Sequence, residues 1–488
     1  MSSENNQKNF IRTLNLFDAT SIVAGAMIGS GIFIVSAQIA RDVQSSSLLL
    51  LVWLLAGIMS IIGALCYGEY AASWPDAGGQ YVYIKKVWGE LTGFVYGWSL
   101  FLVIQTGTIA AVAIAFAKFL GILFPIVSSS YKLISFLGFS ISTQQLVAVI
   151  ILVVITGINA RGVKDASFTQ NIFTVAKILA LLGIVLCGVI FGLKPEVINT
   201  NFATALTAPD IQISPFAAVA VAMVGAIFAS DCWNNVTFIA GEIKRPERNL
   251  PLSLFLGTGL VISLYLLTNL IYLSVLPLAK IQTSAEDIVG ATLMQTIFGD
   301  TGQSIIAIII LISAFGCLNG LILAGARVYY AMAKDGLFFK KLAILGEKSK
   351  VPENSLYLQG AWALILVMSG SYSALLEYAI CTALLFYIIT IGGLFIARKK
   401  YPDIPRPYKA VGYPYLPITY CILALYVIIN LLIYRPETTW PGFILVATGI
   451  PIYLYWKNKN KSVDLDIEKI KNLPHVEKNT QQEVQKIN

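Results

Sequence analysis

The chain has 488 residues, of which 57% are hydrophobic and only 12% charged, against about 25% charged residues in a soluble globular protein. That deficit leaves too little polar surface to face water, so a soluble fold is excluded and the net charge of +8 bears on membrane topology rather than on nucleic acid. The single histidine, His475, lies in a polar C-terminal stretch, which excludes histidine-based catalysis or metal binding within a membrane.

Apolar runs between polar punctuation predict about twelve transmembrane helices. They lie near residues 16–40, 48–72, 91–123, 144–160, 168–193, 214–243, 252–276, 303–333, 356–370, 372–397, 414–434 and 440–456. Several run for about 20 residues without a charge, the length that crosses about 30 Å of hydrocarbon as helix. The first ten residues are polar, and the apolar stretch after them continues without a signal-peptide cleavage site. All six cysteines fall inside apolar runs, where they read as small buried hydrophobes.

Span 1 contains Gly25-Ala26-Met27-Ile28-Gly29-Ser30-Gly31-Ile32-Phe33. Three consecutive small residues weaken a helix, since glycine costs about 1 kcal/mol relative to alanine. They fit either close helix packing or an interrupted helix. Asp18, at the start of this span, reads as a helix cap. Glu69 closes span 2 and, with the loop 75–81, reads as a gate or a packing element. Lys118 lies near the end of span 3, within snorkelling reach of the interface. Span 5 carries Lys177 nine or ten residues in, roughly 14 Å deep at helical rise. An ionisable residue at that depth is a functional candidate. The alternative is a lysine that bonds backbone carbonyls and only stabilises packing.

Span 6 is apolar over 215–228 and then reads Ala229-Ser230-Asp231-Cys232-Trp233-Asn234-Asn235. An aspartate at mid-membrane costs about 2.5–3.5 kcal/mol on insertion scales, so this grouping predicts unwound backbone. Such backbone is tolerated only where protein or a water-filled cavity surrounds it. The two interruptions bear on each other, because each falls in the first helix of a five-helix block, spans 1–5 and 6–10. An odd number of helices per block makes the blocks inverted, and matching breaks in inverted halves point to a transport site. The halves share no convincing sequence identity, so the repeat rests on hydropathy and breaks. Exposed amides at Ser30 and Gly31, at the positive end of a half-helix, suit a carboxylate. Freed carbonyls over 228–231 suit an ammonium, and the two together suit an α-amino acid. Glu377, in span 10 within about two turns of the outer surface, reads as solvated.

Of the 34 Lys and Arg, 27 fall on the side that holds both termini and six on the other, with Lys177 between. This asymmetry predicts both termini in the cytoplasm. The expected organisation is a cytoplasmic N-tail (1–15), a ten-helix transport core (16–397), two additional helices (398–456) and a polar, mobile cytoplasmic C-tail (457–488).

Further motifs accompany the breaks: Tyr67-Gly68-Glu69, Pro75-Asp76-Ala77-Gly78-Gly79-Gln80-Tyr81, Trp233-Asn234, Gly241-Glu242 leading to Pro246 and Pro251, Leu318-Asn319-Gly320, and Pro405-Arg406-Pro407-Tyr408. In this order they resemble the amino acid–polyamine–organocation superfamily, in its L-type amino acid transporter branch, over spans 1–11. The resemblance implies an all-α polytopic membrane protein with a LeuT-like 5+5 inverted repeat plus two C-terminal helices, working by alternating access in the plasma membrane. It implies a carboxylate site at Ser30 and Gly31, flanked by Met27 and Gly29, and an amine site on the backbone near Phe228 and Ala229. Phe228 matches an aromatic gate, and Ser230, Asp231, Trp233 and Asn234 complete the substrate-binding candidates. A span 5 lysine matches Lys177, with its ammonium where sodium-coupled relatives hold sodium. Sodium-independent exchange or proton coupling is therefore expected.

Two departures stand out. Ser230 and Cys232 occupy positions where the family often has an aromatic residue and a glycine. The loop 124–143 has no cysteine, so no disulfide-linked heavy chain is expected. Asp231 leaves a basic substrate open, whereas the lack of an acidic residue in span 3 points to neutral L-amino acids. A cationic amino acid or polyamine antiporter and an amino-acid-sensing transceptor remain alternatives. A channel would need a ring of carbonyls or charges, and an intramembrane enzyme would need paired carboxylates or a metal cluster at depth. The expected partners are an amino acid and the lipid bilayer, with no cofactor, metal or nucleic acid.

Overall fold

A computed structural model of the chain describes residues 12–136, 139–161, 166–203, 213–346, 349, 351–369 and 372–471. Span 1 is two helices, Leu16–Met27 and Gly31–Val43, bent by 41° at the break. Spans 2 to 5 are Ser46–Ser73, Glu90–Leu123, Thr143–Ala160, and Ala166–Cys187 continued by Gly188–Gly192. Span 6 is again divided, into Pro215–Ala229 and the single turn Asn235–Phe238. Spans 7 to 12 are Pro246–Val275, Val289–Lys334, Glu353–Ser369, Tyr372–Lys400, Tyr415–Tyr434 and Pro436–Lys471. Among the described residues, eight helices are long and apolar enough to cross a membrane, and the bent pair of span 1 makes a ninth. Helices stand at all twelve predicted positions, in an all-α polytopic membrane protein. The predicted junction of spans 9 and 10, Gly370 and Ser371, lies outside the described residues.

Local chemistry sets the helix starts. The Asn15 side chain accepts from the Phe17 and Asp18 amides, and the Asp18 carboxylate accepts from the Asn15 amide at 2.9 Å. This is a reciprocal capping box, with Asp18 acting from the third helical position. Ser142 forms a second capping box with Gln145 at span 4, and Ser45 and Ser214 each accept a backbone amide at the starts of spans 2 and 6.

Four features depart from the sequence reading. A helix, Gln80–Trp88, forms in the loop before span 3, and Lys132–Phe136 pairs antiparallel with Phe139–Ser142 after it. Span 8 begins early because a further helical segment joins it at Gly299, whose φ of 64° suits glycine. Span 12 continues as helix to Lys471, where a mobile tail was expected. Residues 457–471 contain no proline or glycine, and the next proline is Pro474.

Span 3 lies at the centre, with 94% of its apolar window buried, whereas the corresponding figure for span 5 is 28%. Span 5 therefore faces lipid along much of its length, as do the largely exposed Ile190, Ile422 and Ile433. The second half of span 1 runs against the first half of span 6. Contact is close because both sides use glycine: Gly31 sits on Ala229, and Gly225 on Val35.

Candidate functional site

The end of a helix leaves carbonyls without intrahelical partners, and the first half of span 1 ends in mid-protein. Three other spans supply its donors. The Lys177 ammonium of span 5 donates to the Gly25 carbonyl at 2.9 Å. The Cys317 thiol of span 8 donates to Ala26 at 3.4 Å. The Tyr265 hydroxyl of span 7 donates to Met27 at 2.9 Å. Lys177 is only 2% exposed, and its cation is met by a backbone dipole. Span 5 also grips this half-helix lower down, through Asn171 to the Asp18 carboxylate (2.7 Å) and Thr174 to the Ser21 carbonyl (3.0 Å).

Across the break, the Gly29 amide turns back to Met27 at 2.9 Å and Ser30 opens the second half. The leading amides of that half, from Gly31, have no preceding helical turn to accept them, and the helix dipole adds positive charge there. The Ser30 hydroxyl is buried and bonds to no described residue.

Span 6 breaks beside it. Phe228 and Ala229 end its first half, and the Ser230 and Asp231 amides fold back onto Ala226, Ile227 and Phe228. The Ser230 side chain turns away from the break. It donates to the Ala226 carbonyl at 2.7 Å and meets the Ser60 hydroxyl of span 2 at 3.2 Å. Ser60 also donates to the Ser230 carbonyl at 3.3 Å, so Ser230 anchors the break to span 2. The Asp231 carboxylate accepts from the Tyr387 phenol at 2.5 Å. Cys232 adopts φ 67°, the left-handed region that disfavours a side chain. Trp233 stacks on Tyr387 at 5.5 Å and receives the edge of Tyr67 at 4.8 Å. The Asn234 amide donates to Gln80 Oε1 at 3.0 Å, which also accepts from the Tyr96 hydroxyl at 3.0 Å.

A small pocket lies between this loop and spans 3 and 10, lined by Gln105, Thr108, Asp231, Asn234 and Tyr387. Its cavity of ≈ 10 Å³ is the room of about one water, so a larger occupant requires the walls to move. Leu100 and Ile104 of span 3 complete the wall; they bound a π-helical turn, a distortion frequent at functional sites.

Polar clasps close both faces. On the face of the N-terminus, Leu14 forms a parallel bridge with Ile243, and Glu242 pairs with Arg327 at 3.1 Å. Asp335 takes Lys85 at 2.8 Å and the Tyr81 hydroxyl at 2.7 Å. Burial, reinforced by the Asp335 charge, pushes the Tyr81 phenol well up, so it donates as a neutral group. Glu69 is held by Arg398 (2.6 Å), Arg406 (3.3 Å) and the Ala410 amide (2.8 Å). On the opposite face, Arg41 pairs with Asp287 at 2.7 Å and Arg435 with Asp42 at 3.0 Å. Lys118 reaches Glu286 at 3.8 Å. Glu377, expected to be solvated, is half-buried and accepts from Thr438 at 2.5 Å.

The structure thus gathers Met27, Gly29, Ser30, Gly31, Phe228 and Ala229 around one junction. Asp231 and Asn234 line the small pocket beyond it, Trp233 packs between Tyr67 and Tyr387 outside that lining, and Lys177 stands behind the first break. Sequence reasoning missed Tyr265 and Tyr387, which reach the breaks from distant segments and carry no local signal among 23 tyrosines, and it noted Gln80 only as part of its loop motif.

A family model described as amino acid permease matches residues 14–454. The rat "Large neutral amino acids transporter small subunit 2" is 30% identical over 473 residues, covering 94% of this chain and 84% of its own length. The mouse "b(0,+)-type amino acid transporter 1" is 26% identical, with 93% and 91% covered. The "Serine/threonine exchanger SteT" of Bacillus subtilis is 28% identical, with 92% and 98% covered. With two opposed broken helices and a match over nearly its whole length, the chain belongs to the amino acid permease family of membrane transporters and is not an enzyme.

Proposed function

We propose that this transporter carries neutral L-amino acids across the plasma membrane by alternating access and without sodium, by exchange or with proton coupling. The observation that carries the reading is the Lys177 bond to the Gly25 carbonyl at the end of a broken helix. A fixed cation there supplies the charge that a bound sodium ion would otherwise bring to those carbonyls. The amino acid's carboxylate meets the amides of Ser30 and Gly31, where the helix dipole favours an anion. Its ammonium meets the carbonyls left open near Ala229 and Asp231, and Phe228 covers it. The names of the rat and Bacillus relatives, a neutral amino acid transporter and a serine/threonine exchanger, agree with this substrate class.

In this reading residues 16–397 form the transport core, 398–456 add two helices, and both termini lie in the cytoplasm, which the Lys and Arg distribution favours. The rat relative is named a small subunit. Here the cysteines fall in or beside spans and 124–143 contains none, so the protein works without a disulfide-linked heavy chain.

A second reading has support from Asp231. Its bonded partner is a phenol rather than a cation, and it faces a polar pocket, so a basic side chain could occupy that wall. Uptake of labelled leucine, serine and arginine into proteoliposomes in sodium-free buffer tests both readings. Saturable uptake stimulated by internal amino acid supports exchange and separates a carrier from a transceptor. Activity that appears only on adding sodium would defeat the proposal.

A further inference from the structure

Tyr372 opens span 10 and is 6% exposed, yet its hydroxyl bonds to no described residue. The same holds for Ser30 Oγ, 1% exposed, at the start of the second half of span 1. The two hydroxyls face each other without closing a hydrogen bond. Buried hydroxyls are nearly always satisfied in native structures, and exceptions call for a missing partner. Two at one place, beside the leading amides of a helix, call for a common acceptor.

The surroundings fix the charge of that acceptor. Around the gap are the Gly31 end of a helix thirteen residues long, the two hydroxyls, and the Lys118 ammonium 5.8 Å from the centre of the Tyr372 ring. Glu286 pairs with Lys118 at 3.8 Å and Asp287 lies nearby, but the groups at the gap itself, backbone amides and hydroxyls, are donors that suit an anion. A carboxylate offers two oxygens and about four lone pairs, enough for two backbone amides and two hydroxyls. The Tyr372 ring also meets Phe228 edge-on at 6.0 Å and 87°, so one side chain joins the aromatic cover to the polar site.

We propose that Tyr372 is a substrate-binding residue, whose phenol donates with the Ser30 hydroxyl to the α-carboxylate of the amino acid. This rests on the transport reading above and adds a span 10 contact to it. Closure of the aromatic cover then depends on the carboxylate, because the phenol finds its acceptor only when Tyr372 stands against Phe228. A substrate lacking the carboxylate leaves the cover without this polar latch.

The test is equilibrium binding of leucine and of leucinol, in which a hydroxymethyl group replaces the carboxylate, to the purified full-length protein. Tyr372→Phe keeps the ring and its contact with Phe228 and removes only the hydroxyl. Loss of a hydrogen bond to a charged group corresponds to about a 10- to 100-fold weakening, so the preference for leucine over leucinol should fall by that factor while leucinol binding holds. Ser30→Ala should act in the same direction. Wild-type preference with Tyr372→Phe unchanged, or an equal loss for both ligands, would overturn the role of Tyr372 and leave the transport reading standing. Wild-type protein that binds neither ligand would overturn both.

Discussion

Gly31 offers a sharp test of how the two broken helices meet. A Cβ at this position would lie 2.7 Å from Ala229 Cβ and 2.9 Å from Ala229 Cα. Carbon atoms in contact prefer about 3.5–4.0 Å, so one segment must retreat by roughly 1 Å. The obstacle includes backbone, so no rotamer change relieves it. Overpacking of this kind costs about 1–3 kcal/mol, and the retreat would spread the very amides and carbonyls that would hold substrate. Gly31→Ala should therefore lower the thermal unfolding temperature in detergent and weaken leucine binding, and Gly31→Val should do both more strongly. Gly29→Ala is the control, because its Cβ would meet only the Cys317 side chain, the sulfur at 3.2 Å and Cβ at 4.0 Å, atoms that can give way. Combining Gly31→Ala with Ala229→Gly should restore part of the loss, since it removes one of the two close contacts. Binding and unfolding of each variant are measured on normally expressed protein. Wild-type affinity in Gly31→Ala, or equal damage from Gly29→Ala, would refute the close-approach argument.

Lys177→Ala should abolish most uptake while expression persists, and wild-type uptake should be unchanged when sodium is omitted; sodium dependence would defeat the assigned role. Cys232→Gly should raise the unfolding temperature by the equivalent of about 1 kcal/mol, since it relieves a side chain held at φ 67°; an unchanged or lower temperature would count against strain there. Asp231→Asn should remove any arginine uptake and spare leucine uptake, and parallel loss of both would assign Asp231 to the common amino acid frame. Reporter fusions at both termini should give cytoplasmic signals, and an external signal from either would overturn the twelve-span topology.

The breaks were legible in the sequence because they violate what a membrane helix tolerates: Gly29-Ser30-Gly31 in one span and Asp231 at mid-depth in another. The depth of Lys177 followed from counting residues, and backbone carbonyls were anticipated as its acceptors in the packing alternative. That Gly25 is the acceptor, and that Tyr265 and Cys317 share the task, depends on packing between spans far apart in sequence. Ser230 looked like a pocket residue by position, but its hydroxyl finds nearer acceptors on Ala226 and span 2. The left-handed backbone of Cys232 was hidden because cysteine carries no signal for positive φ, whereas a glycine would have. Gln80 sat within a motif noted for its loop, and only the fold reveals that it joins Tyr96, Asn234 and Thr390.

The three carbonyls that end the first half of span 1 are held by an ammonium, a phenol and a thiol, each from a different span. Such a tripod cannot tilt on one leg. If the half-helix swings out to open a path, it must shed these donors or carry spans 5, 7 and 8 with it. The legs are unequal, since a charged donor bonds more strongly than a neutral one and a thiol is a weak donor. Release would start at Ala26, pass through Met27 and end at Gly25. The last hold to yield would be the lysine, which makes span 5 the hinge side of the motion and span 8 the side that parts first.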